Sequence, residues 1–212
     1  TGSLAFPLLL FAAAGFVTLI VGCDDGVRPE DDDYNCPVLD KFPANDDINY
    51  KNLSPFSSAG SQTYTGNNVS AFVERVSTRA EDFEGEYRFF KALDQLIHES
   101  GYIPNPKPKD INELISRRSA DEILSNDLTD ASGRIVYSGC HDIAIVARSA
   151  LISIGYDVVF VDSVESDFLE GGPFSGHTFL EIHDPYNHSL FLYDPTAGKI
   201  YRGYDPNSYT LP

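Results

Sequence analysis

Residues 138–155, SGCHDIAIVARSALISIG, join a polar start to a long apolar run. The apolar residues of the run recur at helical spacing, at Ile143, Val146, Ala147, Ala150, Leu151 and Ile154. Ser138 is a suitable N-cap for such a helix, and Gly155 stands where a C-cap glycine is common. The pattern therefore predicts a buried helix with Cys140 in its first turn, where free backbone N–H groups and the helix dipole favour a thiolate.

Two short strands are predicted after this helix. Residues 176–182, GHTFLEI, and residues 191–196, FLYDPT, have the length and composition of strands. The turn-rich connection at 184–189, DPYNHS, predicts that they form a hairpin. His177 and Asp194 therefore lie on neighbouring strands.

A cysteine at a helix start, followed by a histidine and an aspartate on strands, supplies a thiol nucleophile, its base and an orienting group. Cys140, His177 and Asp194 are the candidates for these roles. The alternative for a lone cysteine in an apolar helix is a small core residue. His141 competes as the base, but adjacent helical residues point about 100° apart, which places it poorly for holding the sulfur. Asp142 is interpreted as a first-turn acid that complements the helix dipole.

The hairpin connection leaves the pairing of the two strands open. A tight turn centred on residues 185–186 would put His177 directly opposite Asp194, but its proline disfavours the required backbone angles. A three-residue loop with Asn187 in the left-handed conformation suits the local sequence better. That loop would place the two side chains on opposite faces of the sheet.

A four-residue loop restores a shared face, with Asp194 opposite Phe179 and diagonal to His177. Because the catalytic interpretation needs a shared face, we predict a loop of even length or a corrective bulge. His177 and Asp194 should then approach to roughly 2.6–3.2 Å. The Cys140 sulfur should lie within about 4 Å of the His177 ring.

These residues resemble the transglutaminase-like superfamily, a branch of the papain-like cysteine enzymes. The family pattern is matched by Gly139-Cys140 at a helix start, by His177 with Phe179 and Glu181 on a strand, and by the later Asp194-Pro195-Thr196. Many members have tryptophan where Phe179 stands, so the walls of the substrate groove differ here.

The resemblance covers roughly residues 120–201, and the preceding stretch at 118–124, RSADEIL, resembles a helix often found before the cysteine in bacterial members. It implies an α+β fold with a papain-like core. In that core a helical lobe precedes the cysteine helix, which packs on an antiparallel sheet carrying the histidine and the aspartate.

The implied chemistry is attack of the Cys140 thiolate on a peptide or glutamine amide, with a thioester intermediate and no cofactor. His177 would take the thiol proton, and Asp194 would hold the imidazole tautomer. Water as acceptor makes the protein a protease or amidase, and an amine makes it a crosslinking transglutaminase. We favour hydrolysis because water is the default acceptor. A noncatalytic envelope module that binds peptide or protein is the alternative from another class.

The rest of the chain supports a helices-then-sheet order, which is typical of α+β domains. Helical periodicity covers residues 69–79 and 87–98. Asp110 with Glu113 and Ser119 with Glu122 have capping-box spacing and predict two short helices. Further strands are predicted at 156–161 and 199–201.

A metal site is not predicted from the remaining histidines and acids. His177, His183 and Glu181 belong to one strand, on which residues six apart are separated by roughly 20 Å. His183 and His188 flank the turn and are expected to be exposed, and Glu181 to be solvated. The glycine-rich 171–173 precedes no helix and is interpreted as a mobile loop near His177, not a phosphate loop.

The 212-residue chain carries a formal net charge of −17 and has a sequence pI of about 4.4. This acidity excludes nucleic acid and anionic lipid headgroups as main partners, because phosphate binding requires a basic patch. A protein or peptide substrate remains the expected partner.

The N-terminal 1–22 are predicted to target the chain to a membrane. Residues 4–21 are nearly all apolar, and Ile20–Cys23 resembles a bacterial lipobox, which would be cut before Cys23 and lipidated on that thiol. The alternative is an uncleaved anchor, since about 18–20 apolar residues span a bilayer. Either interpretation places the protein in the cell envelope, on the extracytoplasmic face.

Residues 23–68 are predicted to be an acidic flexible tether, and residues 69–212 the catalytic domain. The acidic cluster at 30–33 lacks the spaced carboxylates and glycine of a calcium loop. With Cys23 acylated and Cys140 catalytic, Cys36 is left alone, so no disulfide framework is predicted.

Overall fold

A computed structural model describes residues 16–19, 59–115, 117–125, 128–164 and 176–202. The helices are α1 (Asn67–Ala80), α2 (Arg88–Ser100), α3 (Lys109–Asn112), α4 (Ala120–Leu124) and α5 (Cys140–Ser153). The strands are β1 (Phe16–Leu19), β2 (Gly101–Tyr102), β3 (Ile135–Val136), β4 (Asp157–Val164), β5 (Gly176–His183), β6 (Leu190–Asp194) and β7 (Lys199–Arg202). The described residues mix helices and strands, which is compatible with the predicted α+β class.

The main sheet has the strand order β1-β4-β5-β6-β7. Neighbours from β4 to β7 are antiparallel, as predicted. β1 lies within the N-terminal apolar stretch and pairs in parallel with β4, which the prediction of a purely antiparallel sheet missed. A small second sheet pairs β2 with β3 in parallel.

Helix α5 is the centre of the hydrophobic core. It packs against β4 and β5, and every residue from His141 to Leu151 is buried. The sheet side of this core is formed by Val158, Leu180, Ile182, Phe191 and Tyr193. Because each fully buried aliphatic side chain stabilises the fold by about 1.5–3 kcal/mol, this layer fixes the position of α5 on the sheet.

The helical lobe is joined to α5 by α4. Ser119 and Glu122 form the predicted capping box, with Ser119 N–H donating to the glutamate at 2.7 Å. Asp121 on the same helix accepts the backbone N–H groups of Asn68 at 2.8 Å and Val69 at 3.2 Å. Asp121 therefore caps the N-terminus of α1 from another element, because the N-cap of α1 itself, Gly66, offers no side chain.

The predicted capping box at Asp110 and Glu113 is wrong. The N-cap of α3 is Pro108, without a side-chain cap, and Asp110 is already inside the helix. Proline holds Pro108 in an extended conformation (φ −59°, ψ 153°), so the helix starts earlier than the spacing suggested.

The folded region begins before residue 69, the predicted start of the catalytic domain. Thr63 is buried, and the Gln62 carbonyl accepts the Ala120 N–H at 2.8 Å. The rest of the proposed tether, with Cys23 and Cys36, and the glycine-rich loop at 171–173 lie outside the described residues. None of the helices in the described part of the chain is long and apolar enough to cross a membrane.

Candidate functional site

The first turn of α5 presents Cys140. The helix begins at Cys140 itself, with Gly139 as the N-cap. Its backbone N–H is therefore one of the first-turn donors that have no acceptor within the helix. Cys140 is a half-buried free thiol. Gly155 has φ 96°, which confirms the predicted glycine at the C-terminal end.

Ser138 is not the N-cap that the sequence predicted. No side chain caps Gly139, and Ser138 instead donates its backbone N–H to the Asp142 carboxylate at 2.7 Å. The stabilising contact thus runs from the third helical residue back to the residue before the N-cap, one position earlier than in a capping box.

The hairpin connection between β5 and β6 has the even length that the catalytic interpretation requires. The strand ladder ends with His183 opposite Leu190, and Asp184 N–H then donates to Ser189 O at 2.9 Å. The loop therefore consists of the four residues 185–188.

This register brings the candidate histidine and aspartate together. Leu180 lies opposite Tyr193. One step farther along the same register, Asp194 comes opposite Phe179 and diagonal to His177. His177 Nε2 and Asp194 Oδ2 are 2.9 Å apart, within the predicted range.

The four-residue loop has a local cause that the sequence analysis missed. Asp184 Oδ1 accepts Tyr186 N–H at 2.8 Å, and its carbonyl accepts His188 N–H at 2.9 Å. His188, with φ 57°, takes the left-handed conformation expected at Asn187. The aspartate side chain thereby closes a longer turn than the proline alone suggested.

Asp194 is held on its other oxygen by the turn that follows it. Oδ1 accepts the backbone N–H groups of Thr196 at 2.9 Å and Ala197 at 3.1 Å. Oδ2 is left to pair with His177. This pair is an ion contact rather than a straight hydrogen bond, because Nε2 is close to the carboxylate without pointing directly at it. The Phe179 ring packs edge-on against the imidazole, with ring centroids 4.7 Å apart.

His177 also interacts with Cys140, since hydrogen bonding and charge between the two side chains lower the pKa of the thiol and raise the pKa of the imidazole. Since Nε2 faces Asp194, the ring nitrogen left for Cys140 is Nδ1. Hydrogen bonds from the backbone and side chain of Thr178 also lower the pKa of the thiol. The sheet residue after the histidine thus contributes a second contact that the sequence analysis did not foresee.

The electrostatics of the site favour a charged pair. Burial raises the pKa of the Cys140 thiol, but hydrogen bonding and charge from His177 and hydrogen bonds from Thr178 outweigh it, so the pKa lies below its usual value. Burial lowers the pKa of His177, but hydrogen bonds and charge from Asp194 and Cys140 raise it to about 10. A low thiol pKa beside a high imidazole pKa stabilises thiolate with imidazolium.

His141 lies elsewhere, as the helical geometry predicted. Its ring stacks on Phe160 with centroids 5.3 Å apart, and its Nδ1 is 3.5 Å from Thr178 Oγ1. Burial lowers the pKa of His141 despite the nearby charges of Asp162 and Asp142. Its surroundings are those of a buried, neutral ring.

The predictions of an exposed His183 and a solvated Glu181 are wrong. Both side chains are buried, and Nε2 of His183 is 2.7 Å from Oε1 of Glu181. Side chains two apart on a strand share a face, so each polar group finds its partner on its own strand. His188 is exposed, as predicted. Within the described ranges, no three histidine, cysteine, aspartate or glutamate side chains are grouped as metal ligands.

The environment of Asp142 was not predicted from the sequence. The carboxylate is fully buried and pairs with Arg118 Nη2 at 2.6 Å. The one local signal was an acid at the third position of a largely apolar helix, where a capping contact is common.

Comparison of the chain with protein-family models, with curated proteins and with solved structures gives no match.

Proposed function

We propose that the protein is a transglutaminase-like cysteine enzyme that acts on peptide or glutamine amide bonds. One observation carries the proposal, namely the continuous contact from Cys140 through His177 to Asp194. The half-buried thiol at a helix N-terminus and the sheet that holds its base also support the finer assignment of a papain-like core. A noncatalytic binding module has no need for this chain of contacts.

In the proposed reaction the Cys140 thiolate attacks the amide carbonyl carbon. The resulting oxyanion accepts a hydrogen bond from the Cys140 backbone N–H, which has no acceptor within α5. The imidazolium of His177 gives its proton to the departing nitrogen as the C–N bond breaks, which releases an amine or ammonia and leaves a thioester.

The second half of the reaction returns the enzyme to its starting state. The neutral imidazole takes a proton from water, the oxygen attacks the thioester, and the carboxylic acid leaves as the thiolate and imidazolium are restored. A primary amine in place of water gives a new amide bond. Hydrolysis is favoured because water needs no binding site of its own, and acyl transfer to an amine is the alternative outcome.

The test uses full-length protein, a glutamine-containing protein such as casein, and a fluorescent primary amine. New N-termini identify a protease, ammonia without cleavage or incorporated fluorophore identifies an amidase, and incorporated fluorophore identifies a transglutaminase. Cys140→Ser is the control in each assay.

A substrate-independent test is the pH dependence of Cys140 alkylation, followed on its own peptide by mass spectrometry. We expect alkylation to persist well below the reference thiol pKa of about 8.5. An ordinary titration near that value would overturn the proposal.

We also propose that the protein acts in the cell envelope, held by a lipid on Cys23. The support is the lipobox-like Ile20–Cys23 after an apolar stretch. Cleavage before Cys23 would remove β1 and leave β4 to β7 as the sheet of the mature protein.

A further inference from the structure

A buried ion pair lies directly behind the candidate nucleophile. Arg118 Nη2 and Asp142 Oδ2 are 2.6 Å apart, and the residues are 8% and 0% exposed. Asp142 is two residues after Cys140 in the first turn of α5. A buried ion pair gains little stability over apolar residues of the same size, so its presence here calls for a role beyond stability.

The pair joins three segments around the start of α5. Asp142 Oδ2 accepts the Ser138 backbone N–H at 2.7 Å as well as the guanidinium. Arg118 Nη2 also donates to the Val136 carbonyl at 2.8 Å. The end of β3, the entering chain at Ser138 and the first turn of α5 are therefore tied to one guanidinium group.

The opposite charges of the pair also cancel each other. A lone buried carboxylate two residues from Cys140 would oppose a negative sulfur at short range. Arg118 supplies the opposite charge at contact distance. Asp142 can therefore hold the backbone of Ser138 without destabilising a thiolate.

We propose that Arg118 and Asp142 are positioning residues that hold the first turn of α5, and with it Cys140, through two buried charges that cancel. The inference rests on the proposed function, since it assigns these residues to the same site. Neither residue contacts the sulfur in this role, and both act through the helix turn that carries it.

Opposite changes of thiol acidity distinguish this role from a merely structural one. Arg118→Met leaves the Asp142 charge uncompensated and should raise the pKa of Cys140 by on the order of one unit. Asp142→Asn keeps an oxygen for Ser138 N–H but leaves the Arg118 charge, and should lower the pKa of Cys140 by a similar amount. The double variant should return close to the wild-type value.

The experiment measures alkylation of the Cys140 peptide across pH in the full chain, with far-UV circular dichroism to confirm folding. At a pH below the wild-type thiol pKa, Arg118→Met should slow alkylation by roughly tenfold, because one pKa unit changes the thiolate fraction tenfold. Arg118→Lys keeps the charge in place and should stay near the wild-type pKa even if Arg118→Met folds poorly. Arg79→Met, which breaks an ion pair with Glu99 on the helical lobe, is the matched control and should change nothing.

These measurements distinguish failure of the proposed function from failure of the proposed role of the ion pair. An ordinary thiol pKa in the wild type overturns the proposed function. A low wild-type pKa with no shift in Arg118→Met and Asp142→Asn, or with shifts of the same sign in these two variants, overturns the role of the ion pair alone. A shift in Arg118→Lys as large as that in Arg118→Met overturns it as well.

Discussion

Replacing Asp194 with asparagine should disable the base without unfolding the hairpin. The Thr196 and Ala197 N–H groups require an oxygen at the Oδ1 position, which the asparagine carbonyl supplies. The amide nitrogen is then forced toward His177 Nε2, where the carboxylate oxygen stood 2.9 Å away. The asparagine N–H and a protonated Nε2 are both donors and cannot hydrogen-bond each other. The ring proton must therefore move to Nδ1, the nitrogen that faces Cys140.

The size of the effect follows from two losses. The charged contact between His177 and Asp194, set at the roughly 1.5–3 kcal/mol of a hydrogen bond to a charged group, corresponds to about ten- to a hundredfold in rate. The wrong tautomer adds to this, and the equivalent change in a serine-protease triad lowers kcat by about 10⁴. We therefore expect kcat/KM to fall between about 10² and 10⁴. The pKa of Cys140 should rise as the pKa of His177 falls from about 10.

The assay compares amide turnover and the pH profile of Cys140 alkylation in the variant and the wild type. Asp184→Asn is a matched control at the other end of the same hairpin. Asp184 Oδ1 also accepts a turn N–H, from Tyr186 at 2.8 Å, but belongs to the β5–β6 loop and not to the site. It should keep full activity and an unchanged thiol pKa.

Unchanged kcat/KM in Asp194→Asn, with the thiol pKa also unchanged, would refute the reasoning. A loss of folded protein in both aspartate variants would instead show that the fall in activity comes from unfolding of the turns. Equal thermal midpoints for Asp194→Asn and Asp184→Asn separate these cases.

Three further predictions concern the nucleophile, the helical lobe and the anchor. Cys140→Ser should keep the fold, because the swap is nearly isosteric at a helix start where serine is welcome, and should abolish turnover; full activity would end the enzyme hypothesis. Asp121→Ala removes the acceptor of the Asn68 and Val69 N–H groups and should lower the free energy of unfolding by about 1–2 kcal/mol, measured by denaturant titration. The control Asp110→Ala changes an exposed residue and should alter the free energy of unfolding by less than about 0.5 kcal/mol. Mass spectrometry of the mature membrane-bound form should find an acylated N-terminal Cys23, and an intact stretch at 4–21 would contradict this.

Much of the fold follows from local patterns in the sequence. The apolar spacing that predicted a helix after Cys140 matches α5, and the predicted helix at 69–79 lies within α1 (Asn67–Ala80). The Ser119 capping box was found because both partners lie within one turn. The hairpin register could be narrowed only by requiring His177 and Asp194 to meet, since local turn preference favoured another loop.

The missed features depend on contacts between residues distant in the chain. Nothing in the local sequence couples Arg118 to Asp142, which are 24 positions apart. Glu181 and His183 were predicted to be solvated because polar residues on a strand usually are. In the structure each buried side chain instead provides the polar partner that the other needs. The capping box predicted at Asp110 was wrong for a different reason: the helix starts earlier, directly after Pro108.

The four-residue loop at 185–188 sets a rule for how this hairpin can change in length. Adding or removing one residue there would reverse the alternation of β6 and carry Asp194 to the other face of the sheet, away from His177. Changes of two residues would preserve the alternation, although they shift Asp194 along the strand. Chains of the same design should therefore vary this loop in even steps, or compensate an odd step with a bulge between the loop and Asp194.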